Sequence, residues 1–174
     1  MVTIVRHPVQ RGVYRLTTEL RLPVSRDEVF GFFADAYQLE RITPPWLHFS
    51  VQTPRPIEMH SGTLIDYKLR LHGIPIHWRT RISQWEPPFQ FVDEQLAGRY
   101  RLWRHLHTFE EVAGQTICRD EVDHSVPGGS LVHWLIVKRD VRKIFEYRRI
   151  MLAQIFQEHA VPTSKGKYAD AQAI

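Results

Sequence analysis

Two strand-like runs, residues 98–110 and 116–126, constrain this fold most, because only a short polar turn at residues 111–115 separates them. Side chains on a β-strand alternate between its two faces, so the members of each face can be read from the sequence. If the hairpin closes at Ala113-Gly114, we expect three cross-strand pairs on one face. These pairs are Phe109 with Cys118, His107 with Asp120, and Trp103 with His124.

This hairpin face mixes aromatic rings with a carboxylate and three imidazoles, those of Asp120, His105, His107 and His124. A face that only fills a core avoids such groups, since a buried polar group without a partner costs roughly 1–3 kcal/mol. A few polar side chains set into an apolar wall are instead typical of a ligand cavity. The hairpin face is therefore predicted to be a cavity wall.

The rest of the chain predicts a first strand and two short helices, followed by further strands. Alternation predicts a strand over residues 13–22. Ser25 and Glu28 have the spacing of a capping box, which predicts a helix from Arg26 to about Asp35. We expect a second short helix at residues 36–42 and strands at residues 46–53, 63–71, 76–85 and 89–96.

A long amphipathic helix is predicted from Leu131 to about His159, with Ser130 as its N-cap. Its apolar stripe is taken to include Trp134 and Val141, and its basic side chains are interpreted as a solvated face: Lys138, Arg139, Arg142, Lys143, Arg148 and Arg149. Such a helix must bury its stripe, and the sheet offers the large apolar surface for this.

These elements predict an α+β fold in which a strongly curved antiparallel sheet of about six or seven strands wraps around the long C-terminal helix. Two short helices follow the first strand. We expect one domain over residues 12–159, with flexible termini at residues 1–11 and 160–174.

Composition limits the classes of function that remain. The single cysteine, Cys118, excludes an internal disulfide, and with no secretory signal or membrane span in the sequence it favours the cytoplasm. The formal net charge of +4 is spread along the chain, without the compact basic motif of nucleic-acid-binding proteins. We therefore expect no nucleic acid partner, and weak contact with anionic membrane surfaces is an alternative. No sequence feature indicates an oligomeric state.

Several segments resemble the START-like (SRPBCC) superfamily, and more narrowly its polyketide cyclase/dehydrase and coenzyme Q-binding branch. They are residues 22–30 (LPVSRDEVF), 78–82 (WRTRI), 91–95 (FVDEQ), 103–109 (WRHLHTF), 120–122 (DEV) and 144–149 (IFEYRR). The resemblance implies the helix-grip fold over residues 13–157, and a superfamily whose members bind lipids, isoprenoids, sterols or polyketides, some catalysing cyclisation or dehydration. Two positions depart from the pattern: His124 stands where an aromatic residue is expected, and Arg99 where proline is expected.

The leading hypothesis is binding of a hydrophobic or aromatic small molecule in an internal cavity. The residues predicted to line it or to orient the ligand are Tyr67, Trp78, Phe91, Asp93, Trp103, His105, His107, Asp120 and His124. No cofactor is expected.

Three alternatives remain open at the level of the sequence. His107 and Asp120 are candidates for a proton-transfer pair in a cyclase, dehydratase or isomerase. His105 and His107 have His-x-His spacing, with Asp120 or Asp93 as a third ligand, but no fourth ligand is placed, and we assign no metal. A third alternative is a module that delivers lipid or regulates a partner at a membrane.

Overall fold

The computed structural model describes residues 1–160, in which eight strands form one antiparallel sheet. The strands are β1 (Thr3–Arg6), β2 (Tyr14–Leu22), β3 (Ser50–Val51), β4 (Leu64–Leu71), β5 (Ile74–Glu86), β6 (Gln90–Ala97), β7 (Leu102–Val112) and β8 (Gln115–Ser125). Their spatial order is β1-β2-β8-β7-β6-β5-β4-β3. The long hairpin β7–β8 therefore lies at the centre of the sheet.

Helices occupy the connection after β2 and the end of the described chain. Helix α1 (Arg26–Ala34) and helix α2 (Gln38–Arg41) follow β2, and a 3-10 turn spans Pro45–Leu47. The long C-terminal helix consists of α3 (Gly129–Val132), a π-helical segment (His133–Val137) and α4 (Lys138–Ala160). Together with the sheet this is the α+β helix-grip arrangement predicted from the sequence.

The predicted hairpin register is confirmed pair by pair. Phe109 lies opposite Cys118, His107 opposite Asp120, and Trp103 opposite His124. The turn has two residues, Ala113 and Gly114, whose φ angles of 51° and 75° match the right-handed twist of a hairpin.

The Ser25 half of the predicted capping box of α1 is confirmed. The Ser25 hydroxyl accepts a hydrogen bond from the backbone N–H of Glu28 at 3.4 Å. This contact satisfies one of the backbone donors that every helix leaves free at its start.

Two expectations about strands are corrected. Residues 1–11 were expected to be a lead-in, but Thr3–Arg6 pairs with β2 because Val2 and Ile4 bury their side chains in a cluster with Leu16 and Phe145. The strand expected at residues 46–53 is reduced to Ser50–Val51, because Pro45 starts a helical turn. The expected flexible segment at residues 160–174 lies almost wholly outside the described residues.

The start of the long helix also differs from the prediction. Gly128 occupies the N-cap position, and Ser130 lies inside the first turn without a capping contact. Trp134 was expected on the buried stripe, but 70% of it is exposed. The π-helical segment is the physical reason, since its extra residue rotates the earlier part of the helix relative to α4.

Three apolar clusters hold the layers together. One joins α1 and α4 to the sheet through Phe30, Phe109 and Leu152. The second packs β1, β2 and β8 on α4, and the third lies under β4 and β5. None of the helices within residues 1–160 is long and apolar enough to cross a lipid bilayer.

Candidate functional site

A cavity of about 210 Å³ lies between the C-terminal helix and strands β4 to β7. It exists because α1 and α4 pack on one part of the sheet while β4 and β5 close the opposite side. Inward positions on β5 supply part of its wall, as the alternation predicts: Ile76, Trp78, Thr80 and Ile82. The cavity therefore lies against the strand faces that the alternation directs inward.

Aromatic rings form the apolar walls of the cavity. At one end, Trp78 and Trp103 meet edge to face with ring centroids 5.4 Å apart, and Tyr100 lies 4.7 Å from Trp103. At the other end, the ring of Phe91 stacks on His107 with a centroid distance of 4.2 Å. Tyr67 is also buried in the cavity wall, and burial raises the pKa of its hydroxyl, which stays protonated.

The polar wall is a cluster of two histidines and two aspartates on three adjacent strands. Asp93 lies on β6, His105 and His107 on β7, and Asp120 on β8. Oδ1 of Asp120 lies 3.0 Å from Nε2 of His105 and 3.0 Å from Nδ1 of His107. Oδ2 of Asp93 lies 3.5 Å from Nδ1 of His105 and 3.1 Å from Nε2 of His107. Each imidazole therefore has one nitrogen facing each carboxylate.

Not all of these contacts are aligned as hydrogen bonds. The contact between His105 and Asp120 and the contact between His107 and Asp93 have hydrogen-bond geometry. Nδ1 of His107 is buried and has no hydrogen-bond partner among the described residues, although it is close to Asp120. The centroids of the two imidazole rings are 3.6 Å apart, and their planes are tilted by 34° to each other.

Burial and charge set the protonation of the cluster. Burial lowers the pKa of His105, and the neighbouring His107 lowers it further. Burial also opposes charge on His107, but its contacts with Asp120 and Asp93 outweigh burial and raise its pKa. Burial alone would raise the pKa values of both aspartates, but the two histidines outweigh it and lower them.

Arg148 brings a positive charge to the cavity. It lies on α4, lines the cavity, and holds its guanidinium carbon 5.0 Å above the ring centre of Phe145. Its Nε is buried without a hydrogen-bond partner among the described residues. Burial lowers the pKa of Arg148, while Asp120 and Asp93 oppose this shift. A guanidinium in this environment is a ready donor for an oxygen atom of a ligand.

Comparison with known proteins identifies the architecture. No family model matches the sequence, and a search of curated proteins finds no significant match. Protein Ms6760 from Mycobacterium smegmatis superposes with a TM-score of 0.64 at 16% identity, covering 91% of this chain and 99% of that protein. A START superfamily protein from Mycobacterium smegmatis gives a TM-score of 0.63 at 11% identity, with coverage of 84% and 99%. The chain has the START-like fold. Ginseng major latex-like protein 151 from Panax ginseng is also similar, with a TM-score of 0.60 at 8% identity and coverage of 83% and 97%.

Most of the residues predicted from the sequence to form a site line this cavity. Those that line it are Tyr67, Trp78, Phe91, Asp93, Trp103, His105 and His107. Asp120 is not among the lining residues in the described part of the chain, because it lies behind both imidazoles. It can act on a ligand only through them.

His124 lies apart from this site. It is fully buried, and its Nε2 is 3.2 Å from Nε2 of His133, whose ring stacks on Tyr14 at 3.4 Å. Pairing between β2 and β8 places Tyr14 opposite His124 and so directs the imidazole toward the start of the long helix. Within residues 1–160, His124 therefore does not line the cavity described above.

Among the residues that line the cavity, Arg148 is the main one that the sequence prediction missed. It was assigned to a solvated face, and the structure corrects this assignment. A signal was present, because Arg148 follows Ile144 by four positions and Phe145 by three, which places all three on one side of a helix. Tyr100 was missed because the strand-like run 98–110 places it on the face opposite Trp103, whereas the structure has residues 98–101 in the loop between β6 and β7. Its place is fixed by Gln95, whose side chain bonds to the backbone N–H and C=O of Tyr100.

Proposed function

We propose that this protein binds a compact hydrophobic or aromatic small molecule in the cavity between the sheet and α4. The observation that carries the proposal is an apolar cavity containing a guanidinium whose buried Nε has no partner among the described residues, that of Arg148. A buried N–H without a partner costs roughly 1–3 kcal/mol. A carbonyl, phenol or carboxylate oxygen of a ligand would supply the missing acceptor.

The size of the cavity narrows the class of ligand. Its volume of about 210 Å³ is below the roughly 300–1,000 Å³ of sites for drug-sized ligands. This favours a molecule of one or two rings, such as a small polyketide-derived aromatic, over a long-chain lipid or an extended isoprenoid. Trp78, Trp103 and Phe91 would supply flat contact surface, while His105, His107 and Asp93 would orient the polar group.

The first test is mass spectrometry of the protein purified from cells, under native and then denaturing conditions. A co-purifying organic mass that is lost on denaturation would support the proposal and would reveal the chemical class of the ligand. The second test is titration with the two-ring aromatic sulfonate naphthalene-2-sulfonate, whose binding is followed by titration calorimetry.

Arg148→Met should weaken binding of this probe at least tenfold, because the sulfonate loses its cationic partner. Arg139→Met is the matched control, since Arg139 lies exposed on the same helix, outside the set of residues that line the cavity. Equal binding by both variants would contradict the role of Arg148. Absence of any organic mass together with absence of probe binding would reject the cavity as a ligand site.

A second candidate is acid–base catalysis on a polyketide-like substrate. The observation that favours it is the His107 ring on the cavity wall, with nitrogen atoms 3.0 Å from Asp120 and 3.1 Å from Asp93. An imidazole held between carboxylates can pass a proton between carbon and oxygen during an intramolecular aldol closure. With a synthetic linear poly-β-ketone thioester as probe, His107→Gln should abolish cyclisation but retain binding of naphthalene-2-sulfonate. Unchanged cyclisation in this variant would reject the candidate.

Weak contact with anionic membrane surfaces is a further part of the proposal. Apolar side chains are exposed at the start of the long helix: Leu131, Trp134, Leu135 and Ile136. The basic residues Lys138 and Arg139 follow directly, and such residues near a surface add to membrane attraction. Ile136 also lines the cavity, so the exposed apolar surface borders the ligand site.

We also propose a cytoplasmic location and a single domain over residues 12–159, extended at its start by β1. The reducing cytoplasm suits Cys118, which is a buried free thiol. Burial raises the pKa of this thiol and makes it unreactive.

A further inference from the structure

We infer that Asp93, His105 and His107 bind one divalent transition-metal ion, and that Asp120 positions both imidazoles for it. This inference goes beyond the proposed binding of an organic ligand, and it reverses the expectation of no cofactor. It starts from the convergence of one atom of each residue, Oδ2 of Asp93, Nδ1 of His105 and Nε2 of His107, on one point of the cavity wall.

The separations of these atoms fit a common metal ion. Oδ2 of Asp93 is 3.5 Å from Nδ1 of His105 and 3.1 Å from Nε2 of His107. One ligand atom of each of the three residues lies within 4.8 Å of the others. Two atoms that each lie about 2.0–2.1 Å from a zinc ion at the tetrahedral angle are about 3.4 Å apart. The site therefore needs only small side-chain movements to hold an ion.

Asp120 holds the opposite nitrogen atoms of the same two rings. Its Oδ1 lies 3.0 Å from Nε2 of His105 and 3.0 Å from Nδ1 of His107. Histidines that bind metals usually donate their other N–H to a carboxylate or carbonyl, which fixes the tautomer and turns the free lone pair toward the ion. Asp120 has this position for both rings, and it does not line the cavity among the described residues.

Hydrogen bonds within the cluster cannot account for all of its short nitrogen–oxygen contacts. A neutral imidazole has one N–H, so two neutral rings supply two donors to four short nitrogen–oxygen contacts. In the structure, Nε2 of His107 has hydrogen-bond geometry to Oδ2 of Asp93. With both protons moved to the nitrogen atoms that face Asp120, the lone pairs of Nδ1 of His105 and Nε2 of His107 face Oδ2 of Asp93. This arrangement also gives the buried Nδ1 of His107, unpartnered in the described residues, a proton next to a carboxylate oxygen. A cation is the group that two lone pairs and a carboxylate oxygen would hold together.

The donor set selects the class of metal. Two imidazole nitrogens and one carboxylate oxygen suit zinc, cobalt, iron or nickel, whereas magnesium and calcium prefer oxygen atoms alone. The two aspartates together balance the charge of a divalent ion. Because Asp93, His105 and His107 all line the cavity, the remaining coordination positions face the space where an organic ligand would lie.

The test is metal binding by the full, untagged chain, freed of metal with a chelator and studied without any organic ligand. Titration with Co²⁺ is expected to give one ion per chain and the visible bands of a site with nitrogen ligands. Titration calorimetry with Zn²⁺ is expected to give the same stoichiometry. Failure of this test would leave the proposed organic ligand untouched, because that proposal is tested with other probes.

Variants separate the assigned site from surface histidines. Asp93→Asn and His107→Gln should each weaken Zn²⁺ binding at least 100-fold. Asp120→Asn should weaken it about 10- to 100-fold and shift the Co²⁺ bands, because the imidazoles lose their common acceptor but keep their ligand atoms. His77→Gln is the control, since His77 is exposed on β5, and it should bind like the wild type.

Two results would overturn the inference. One is binding of Co²⁺ and Zn²⁺ by Asp93→Asn or His107→Gln with wild-type affinity. The other is absence of stoichiometric binding by the wild type. If a variant fails to fold, X-ray absorption spectroscopy of the wild-type zinc complex decides the matter. Two imidazole ligands and a carboxylate support the site, whereas a shell of oxygen atoms alone, or of three or more imidazoles, rejects it.

Discussion

Oδ1 of Asp120 accepts a hydrogen bond from Nε2 of His105 at 3.0 Å, although the strand register places Asp120 opposite His107. The contact runs diagonally across β7 and β8, and the contact between His107 and Asp93 runs diagonally across β6 and β7. A single carboxylate oxygen thus contacts both buried imidazoles. The arrangement of the two imidazoles therefore depends on Asp120 more than on any other residue of the cluster.

Removing Asp120 should therefore destabilise the protein strongly. Asp120→Ala leaves two buried imidazoles without their common acceptor, and loss of one partner from a buried ion pair costs about 3–5 kcal/mol. Urea unfolding in metal-free buffer measures this free energy. Glu121→Ala is the control on the same strand: its ion pair with Arg15 is more exposed, and its loss should cost about 0–1 kcal/mol. Equal losses in the two variants would contradict the prediction.

Stability should fall as the pH falls from about 6.5 to about 4. Burial, together with His124 and Lys138, lowers the pKa of His133 to about 4, against about 6.5 in an unfolded chain. In this window the unfolded state takes up a proton that the folded state excludes, so acid favours unfolding by up to about 1.4 kcal/mol per pH unit. The lowered pKa values of His105 and His124 act in the same direction.

The measurement is urea unfolding at several pH values. His133→Leu should reduce the slope of unfolding free energy against pH between 4 and 6.5, whereas His77→Gln should preserve it. The raised pKa of His107 acts with the opposite sign, since its contribution is lost as the pH rises through the raised value. An unchanged slope in His133→Leu would show that this histidine is protonated in the folded protein.

The turn of the central hairpin should be improved by one substitution. Ala113 has a φ angle of 51°, a conformation that disfavours residues with a Cβ but suits asparagine. Ala113→Asn should raise the free energy of unfolding by about 0.5–1 kcal/mol, while Ala113→Val should lower it. Thermal unfolding of the three proteins checks the order. A gain in stability in Ala113→Val would contradict the prediction that the backbone of Ala113 is strained.

Sedimentation with lipid vesicles tests the exposed surface at the start of the long helix. The wild type should bind vesicles containing phosphatidylserine more than vesicles of phosphatidylcholine, and added salt should weaken binding. Trp134→Ser should reduce the bound fraction severalfold because it removes the most exposed aromatic ring of this surface. Ile150→Ser changes an exposed apolar residue elsewhere on α4 and should have no effect.

The sequence predicted the central hairpin well because strand alternation and a short turn leave few registers available. The same rule could not predict the diagonal contacts of Asp120 and Asp93, because the tilt of a side chain along its strand depends on the neighbouring strands. Strand order also had to come from the structure: Asp93 joins the cluster because β6 pairs with β7, and this pairing is long-range.

Other features were missed for different physical reasons. β1 depends on Val2 and Ile4 reaching a cluster that other elements build, and a short segment near charged residues has little strand signal of its own. Arg148 was misplaced because its charge was given more weight than its position on the apolar side of α4. His124 was placed correctly in register, but its partner His133 comes from a helix whose phase the sequence did not reveal.

The π-helical segment His133–Val137 has a consequence for the whole C-terminal helix. A residue advances an α-helix by about 100°, so one additional residue gives the helix two angular frames, one before the segment and one after it. Leu131, before the segment, and Trp134, inside it, face outward, while Val141 and Phe145, after it, face inward. Deleting one residue here would bring both halves into a single frame and turn Trp134 toward the protein.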